Sequence, residues 1–164
     1  MGYNSLRFDA EVTRYLFWRN LLDPYAHEWR DGNSRWDLLD LLRACRLMRP
    51  EGLDWPDNDE GQPSFQLEHL AAANGIEHGD AHDALADVRA TLALARKVKS
   101  AQPRLFAHVL SLRSKQQVLK MLELGSLKPL VHVSGRFAAS LGAASVILPL
   151  FADPVQSNRI VCWD

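Results

Sequence analysis

Apolar positions recur with a helical period over the first three quarters of the chain and gather in short runs near its end. Val12, Tyr15, Leu16 and Trp18 predict a helix from Asp9 to Leu22. Asp9 falls in its first turn, where the helix dipole favours a carboxylate, and Asp23-Pro24 is expected to break it. Residues 25–33 are aromatic and charged and run into a loop at Asp31-Gly32-Asn33. Leu38, Leu39, Leu41, Leu42, Cys45 and Met48 give a broad apolar face, expected as a short strand leading into a helix over 36–48, with Arg49-Pro50-Glu51-Gly52 as the stop. Residues 53–63 carry Pro56, Asp57, Asn58, Asp59, Gly61 and Pro63 and read as a loop.

Ser64 is expected to cap a helix bearing Phe65, Leu67, Leu70 and Ala71 on one face, with Asn74-Gly75 as its C-terminal stop. The next helix, capped by Asp80 or Asp83, runs to about Val98 and is rich in alanine, which permits close approach of a neighbour. Pro103 marks a boundary, followed by two short amphipathic helices at about 104–112 and 114–123. Beyond Lys128, residues 130–133, 146–150 and 159–163 read as strands. The expected fold class is α/β: a helix-rich part of an α/β domain over residues 1–102, then a helical connector and the start of a β domain over 103–164.

Composition changes this picture little. A hydrophobic fraction of 47% supports a packed core, and a net charge of −1 selects no partner. The distribution of charge says more. Between Arg89 and Arg136 there are ten Lys or Arg residues and a single acid, Glu123, an asymmetry suited to a polyanion or to solvated helix faces. Cys45 and Cys162 have no metal-type spacing and fit a reducing, cytoplasmic setting. No apolar run approaches the roughly 20 residues needed to span a bilayer, so no membrane role is expected.

Candidate chemistry gathers on His82 and Asp87, a His-x4-Asp at a helix start, and on Asp9 far upstream. Phosphodiester hydrolysis by two divalent ions needs carboxylates holding the metals about 3.5–4 Å apart and a base to take a proton from water. Asp87 and Asp9 can offer oxygen ligands suited to Mg²⁺ or Mn²⁺ from two helix starts. His82, preceding its helix, can reach over such a site, and histidine titrates near neutrality. Taken singly, each of the three is explained as well by helix capping.

Four segments in order give a stronger signal: Gly-Tyr-Asn-x-x-Arg-Phe-Asp at 2–9, Ser-Arg-Trp-Asp-Leu-Leu-Asp at 34–40, Pro-Ser-Phe-x-Leu-Glu-His-Leu-x-x-x-Asn-Gly-Ile-Glu-His at 63–78, and Ala-His-Asp-Ala-x-Ala-Asp-Val at 81–88. They resemble the exodeoxyribonuclease I family of bacterial DEDDh 3′→5′ exonucleases, which have an RNase H-like fold. The resemblance continues through Gln102–Phe106 and Lys128–Gly135. It implies that Asp9 is the acid of the second motif, His82 the general base and Asp87 the metal-binding acid of the third. It further implies two Mg²⁺ ions (Mn²⁺ as a substitute), an SH3-like β domain after the exonuclease domain, a role in DNA repair, a monomer, and single-stranded DNA as substrate. A single-stranded DNA-binding protein is implied as a partner of the complete enzyme.

The family's first motif, Asp-x-Glu, has no counterpart here, because Asp9-Ala10-Glu11 already matches the second motif. The family's C-terminal helical domain is absent too. The chain therefore reads as truncated at both ends. By itself it is expected to be poorly stable and to lack activity, retaining at most single-stranded DNA binding. Cationic and aromatic side chains interleave as such binding requires: Arg14, Tyr25, Trp29, Arg43, Arg49 and Lys128 are the candidate contacts. Gln66 joins them where the family pattern carries Arg, which leaves a hydrogen-bond donor without charge.

Overall fold

The computed structural model describes residues 2–6, 8–77, 84–156 and 158–164. Their chain folds as two compact units, residues 1–113 and 114–164.

The first unit is helical. Its elements are α1 (Asp9–Arg19), α2 (Ala26–Trp29), α3 (Leu38–Met48), α4 (Leu67–Ala73), α5 (Ala84–Ala101) and α6 (Pro103–Ser111). α3 forms the centre because its apolar residues occupy one broad face at helical spacing: Leu38, Leu41, Leu42 and Cys45 are fully buried. They meet Leu70 of α4 and Leu94, Ala95 and Val98 of α5, with Leu53 from the intervening loop. Trp36 and Phe106 close one edge, ring against ring at 5.5 Å. Pro103 stands in the first turn of α6, where a missing N–H costs nothing.

Several boundaries differ from the sequence expectation. The strand expected before α3 contracts to one residue: Asp37 bridges Gly2 in parallel, and Asp37 then caps α3. Ser64 does not cap α4, which starts at Leu67 with Gln66 in the cap position; the Ser64 hydroxyl instead pairs with His69 Nδ1 at 2.8 Å. α1 stops at Arg19, before Asp23-Pro24, since Leu21 takes a left-handed φ of 58°. α4 does end at Asn74-Gly75: the Ile76 and Gly75 amides donate to the Ala71 and Ala72 carbonyls, a closure that needs the positive φ of Gly75. The expected caps Asp80 and Asp83 lie outside the described residues. The largest departure is α1 itself, which buries no residue. Its Trp18 is 67% exposed.

The second unit pairs α7 (Lys115–Leu122) with an antiparallel sheet of β1 (Leu130–Val133), β2 (Ala144–Ala152) and β3 (Ile160–Trp163) in the order β1-β2-β3. Leu130 faces Ile147 and Leu148 faces Trp163, and the register shifts between Pro149 and Phe151. Pro149 is fully buried at that irregularity; a residue without an N–H is tolerated where the ladder breaks. The β2–β3 turn is held by the Asp153 carboxylate, which accepts from the Val155 and Gln156 amides; the Gln156 bond and then the Val155 bond hold its pKa below the ordinary carboxylate value.

Leu94→Ala is expected to cost about 2–5 kcal/mol in urea unfolding, the range for a large-to-small change in a packed core, because Leu94 is fully enclosed. Burial, and then the charge of Glu51, pushes the Cys45 thiol up to about 11. The folded state thus keeps a proton that the unfolded state releases from about pH 9. Stability should fall as pH climbs from about 9 to about 11, and that fall should be smaller in Cys45→Ala, where burial still raises the Tyr3 phenol.

Candidate active site

Asp9, Gln66 and Asp87 line one cleft of about 730 Å³ in the first unit. They come from α1, from the residue before α4, and from the first turn of α5. The two acids are 78 positions apart in sequence, and the fold brings their segments to one cleft. Each acid stands at the N-terminal end of its helix, where the peptide dipoles leave partial positive charge. The walls between them are mostly apolar: Leu39, Phe65, Leu67, Val88 and Leu92. His82 lies outside the described residues, five positions ahead of Asp87.

Carboxylate oxygens are the donors a hard divalent cation takes, so Asp9 and Asp87 fit such an ion in kind. They fall short in number. Among the described residues no group of three or more His, Cys, Asp or Glu converges closely enough to hold a metal. Glu68, in the first turn of α4, also lines the cleft. Sequence reasoning did not select it, although it sits inside the Pro-Ser-Phe-x-Leu-Glu segment. Tyr3, also missed, forms another part of the wall. Its hydroxyl donates to the Phe65 carbonyl at 2.5 Å, and burial raises its pKa, opposed by the charge of Arg43 and reinforced by that of Asp37.

The other candidates are dispersed. Arg14 donates to Glu28 at 2.7 Å and lies 5.0 Å from the Tyr25 ring centre. Arg35 holds the second oxygen of Glu28 at 3.0 Å, so two guanidiniums face one carboxylate. The bond to Glu28 raises the Arg14 pKa further. Tyr25 and Trp29 expose more than half their surface, and Arg30 lies over the Trp29 ring at 5.8 Å. This is an aromatic and cationic surface of the kind that stacks bases. Arg43 is mostly enclosed: it donates to Asp40 at 2.8 Å, lies 5.9 Å from the Phe65 ring, and has a buried Nε without a hydrogen-bond partner. Arg49 borders a separate groove with Arg104 and His108. Lys128 belongs to the second unit and pairs with Glu123. The basic run of residues 89–136 is divided between the two units, and Lys97 within it donates to the Asn74 carbonyl. Among the described residues no helix is long and apolar enough to cross a membrane.

Comparison with known proteins gives this geometry a context. Exodeoxyribonuclease I of Escherichia coli is 54% identical over all 164 residues, and that of Haemophilus influenzae 49%. The chain spans 34% and 35% of their lengths. The solved structure of E. coli exonuclease I in complex with a dA16 oligonucleotide matches 99% of this chain, and 35% of its own, with a TM-score of 0.95. A complex of exonuclease I with an SSB C-terminal peptide matches 99% of this chain and 35% of its own at a TM-score of 0.93 and 53% identity. Residues 113–164 match the Exonuclease I SH3-like domain, and residues 1–95 match the Exonuclease family, to which the chain belongs.

Proposed function

We propose that this chain forms part of a 3′→5′ exodeoxyribonuclease acting on single-stranded DNA and serving DNA repair. The observation that carries this reading is the convergence of Asp9, Gln66 and Asp87 on one cleft. Asp9 and Asp87 would each give carboxylate oxygens to divalent ions, Mg²⁺ first and Mn²⁺ as a substitute. Bound there, such ions supply Lewis-acid stabilisation of the phosphodiester and lower the pKa of water. His82 takes the proton from the attacking water. Gln66 donates a hydrogen bond to a phosphate without adding charge. Arg14, with Tyr25 and Trp29 beside it, holds the strand by charge and stacking, and Arg43 stiffens the wall behind Phe65.

Arg49, Arg104 and His108 offer cations to an anion, either a DNA phosphate or the terminal carboxylate of a peptide such as the one bound by the solved relative. Lys128, in the second unit, is a further candidate for contact with a DNA phosphate. A monomer, with single-stranded DNA and a single-stranded DNA-binding protein as partners, completes the reading.

The decisive experiment replaces the matching 164 residues of E. coli exodeoxyribonuclease I with this chain. The folded chimera should shorten 5′-labelled single-stranded DNA from its 3′ end in Mg²⁺, and a folded but inactive chimera rejects the reading. His82→Ala should lower its rate by about 10²–10⁴-fold, the usual contribution of a general base. Asp9→Asn and Asp87→Asn should each weaken Mn²⁺ binding by calorimetry. The 164-residue chain alone should give no laddering. In the chimera, Arg14→Ala should reduce the slope of log affinity against log salt by about 0.7, one phosphate contact on a single strand, and Gln66→Arg should increase it by about the same amount.

A further inference from the structure

α1 carries Asp9 yet buries no residue, so core packing does not fix where that carboxylate stands. The contacts of α1 with α2, Arg14 to Glu28 and the edge of Phe17 against His27 at 5.0 Å, involve no residue that lines the cleft. What connects Asp9 to the cleft is the segment just before it, residues 2–6.

That segment is clamped by one side chain. Asp37 is 7% exposed, and its carboxylate accepts three backbone N–H groups. Oδ1 accepts from Asn4 at 2.8 Å and from Leu39 at 3.0 Å, and Oδ2 accepts from Leu6 at 3.3 Å. The Leu39 bond is an ordinary helix cap for α3. The Asn4 and Leu6 bonds are not needed for capping. They reach back 33 and 31 residues and tie the start of the chain to the end of the central helix. Main-chain bonds flank the clamp: Gly2 N–H donates to the Trp36 carbonyl and Leu38 N–H to the Gly2 carbonyl.

The segment itself is tightly folded. Asn4 holds a φ of 54°, a conformation asparagine tolerates better than most residues. A Cβ on Gly2 would fall 2.0 Å from the Ser5 hydroxyl oxygen. From this turn the Ser5 carbonyl accepts the Ala10 amide at 3.0 Å, which passes the constraint into the first turn of α1 beside Asp9.

We propose that Asp37 is a positioning residue for Asp9: its carboxylate fixes the 2–6 turn on the N-terminus of α3 and so sets Asp9 against Asp87 across the cleft. This rests on the reading of Asp9 and Asp87 as cation ligands. Asp37 acts through the backbone and touches neither the cation nor the substrate. A buried carboxylate taking three N–H donors is a rigid link, because charge-assisted bonds are strong and releasing any one leaves charge unsatisfied away from water.

Asp37→Ser separates the clamp from the cap. Serine still caps a helix well, but it is too short to reach Asn4 and Leu6 together. In the ¹⁵N-labelled 164-residue chain, amide exchange at Asn4, Leu6 and Ala10 should accelerate by about tenfold or more, while Leu42 and Leu94 stay within about threefold of the parent. Substoichiometric Mn²⁺ should broaden the Asp9 and Asp87 amides in the parent chain and only Asp87 in the variant. Equal acceleration at all five amides, no acceleration at the first three, or undiminished broadening of Asp9 overturns the proposal. If Mn²⁺ broadens neither acid in the parent chain, the cation reading fails, and the exchange comparison alone decides whether Asp37 holds the turn. Should Asp37→Ser not fold, Asp37→Asn is judged by the same comparison, with acceleration expected first at Leu6, which loses its oxygen acceptor.

Discussion

The arrangement of residues 2–113 depends on the dry seam where α3 meets α5. Leu38, Leu41, Leu42 and Cys45 on one side and Leu94, Ala95 and Val98 on the other are almost wholly removed from water. Burial of this area is the dominant favourable term available to a unit whose described residues contain only isolated bridges in place of a sheet. The seam also sets geometry. It fixes the axis of α5, and thereby the first turn that carries Asp87. It fixes the N-terminus of α3 as well, where Asp37 gathers the segment leading to Asp9. The same apolar contacts that stabilise the unit therefore hold the two elements, α5 and the N-terminus of α3, on which the cleft is built.

Much of this was legible in sequence because it is written in periodicity. The apolar face of α3, the alanine-rich α5, the Asn74-Gly75 stop and the three strands each have a local cause that a window of residues reveals. What was not legible depends on distant groups. Asp37 drew no role from its sequence, since nothing local shows that it caps α3 and that its other oxygen reaches Leu6. Ser64 is a residue type that caps helices, but its hydroxyl pairs with His69 and the helix starts at Leu67. α1 has the pattern of a buried helix and is exposed, because periodicity records which face wants a partner and not whether one is there.

The site residues divide along the same line. Asp9, Gln66 and Asp87 were selected by motif, and tertiary packing brings them to one cleft. Arg14, Tyr25 and Trp29 were selected by residue type; Arg14 lies against the Tyr25 ring, while Trp29 is paired with Arg30. Arg43 was selected in the same way, yet most of its side chain is spent on Phe65 and Asp40. An arginine among aromatic residues looks the same in sequence whether it faces a phosphate or a ring, because both uses need the same planar cation. Glu68 and Tyr3 escaped notice for the opposite reason, since neither residue type stands out until the cleft is seen.

The cleft also resolves an electrostatic difficulty. Two carboxylates facing a common space with apolar walls repel each other, and less water is present to screen them. Both are first-turn residues, on helices of 11 and 18 residues. Each helix end carries roughly half a positive charge from its aligned peptide dipoles. The repulsion is thus partly offset by charge built into the backbone, and this offset requires no cation. The peptide dipoles of a helix end favour a carboxylate placed beside it. An acid at a helix start suits the dipole whether or not it binds an ion, which is why capping and metal binding could not be told apart for Asp9 or Asp87 from sequence alone.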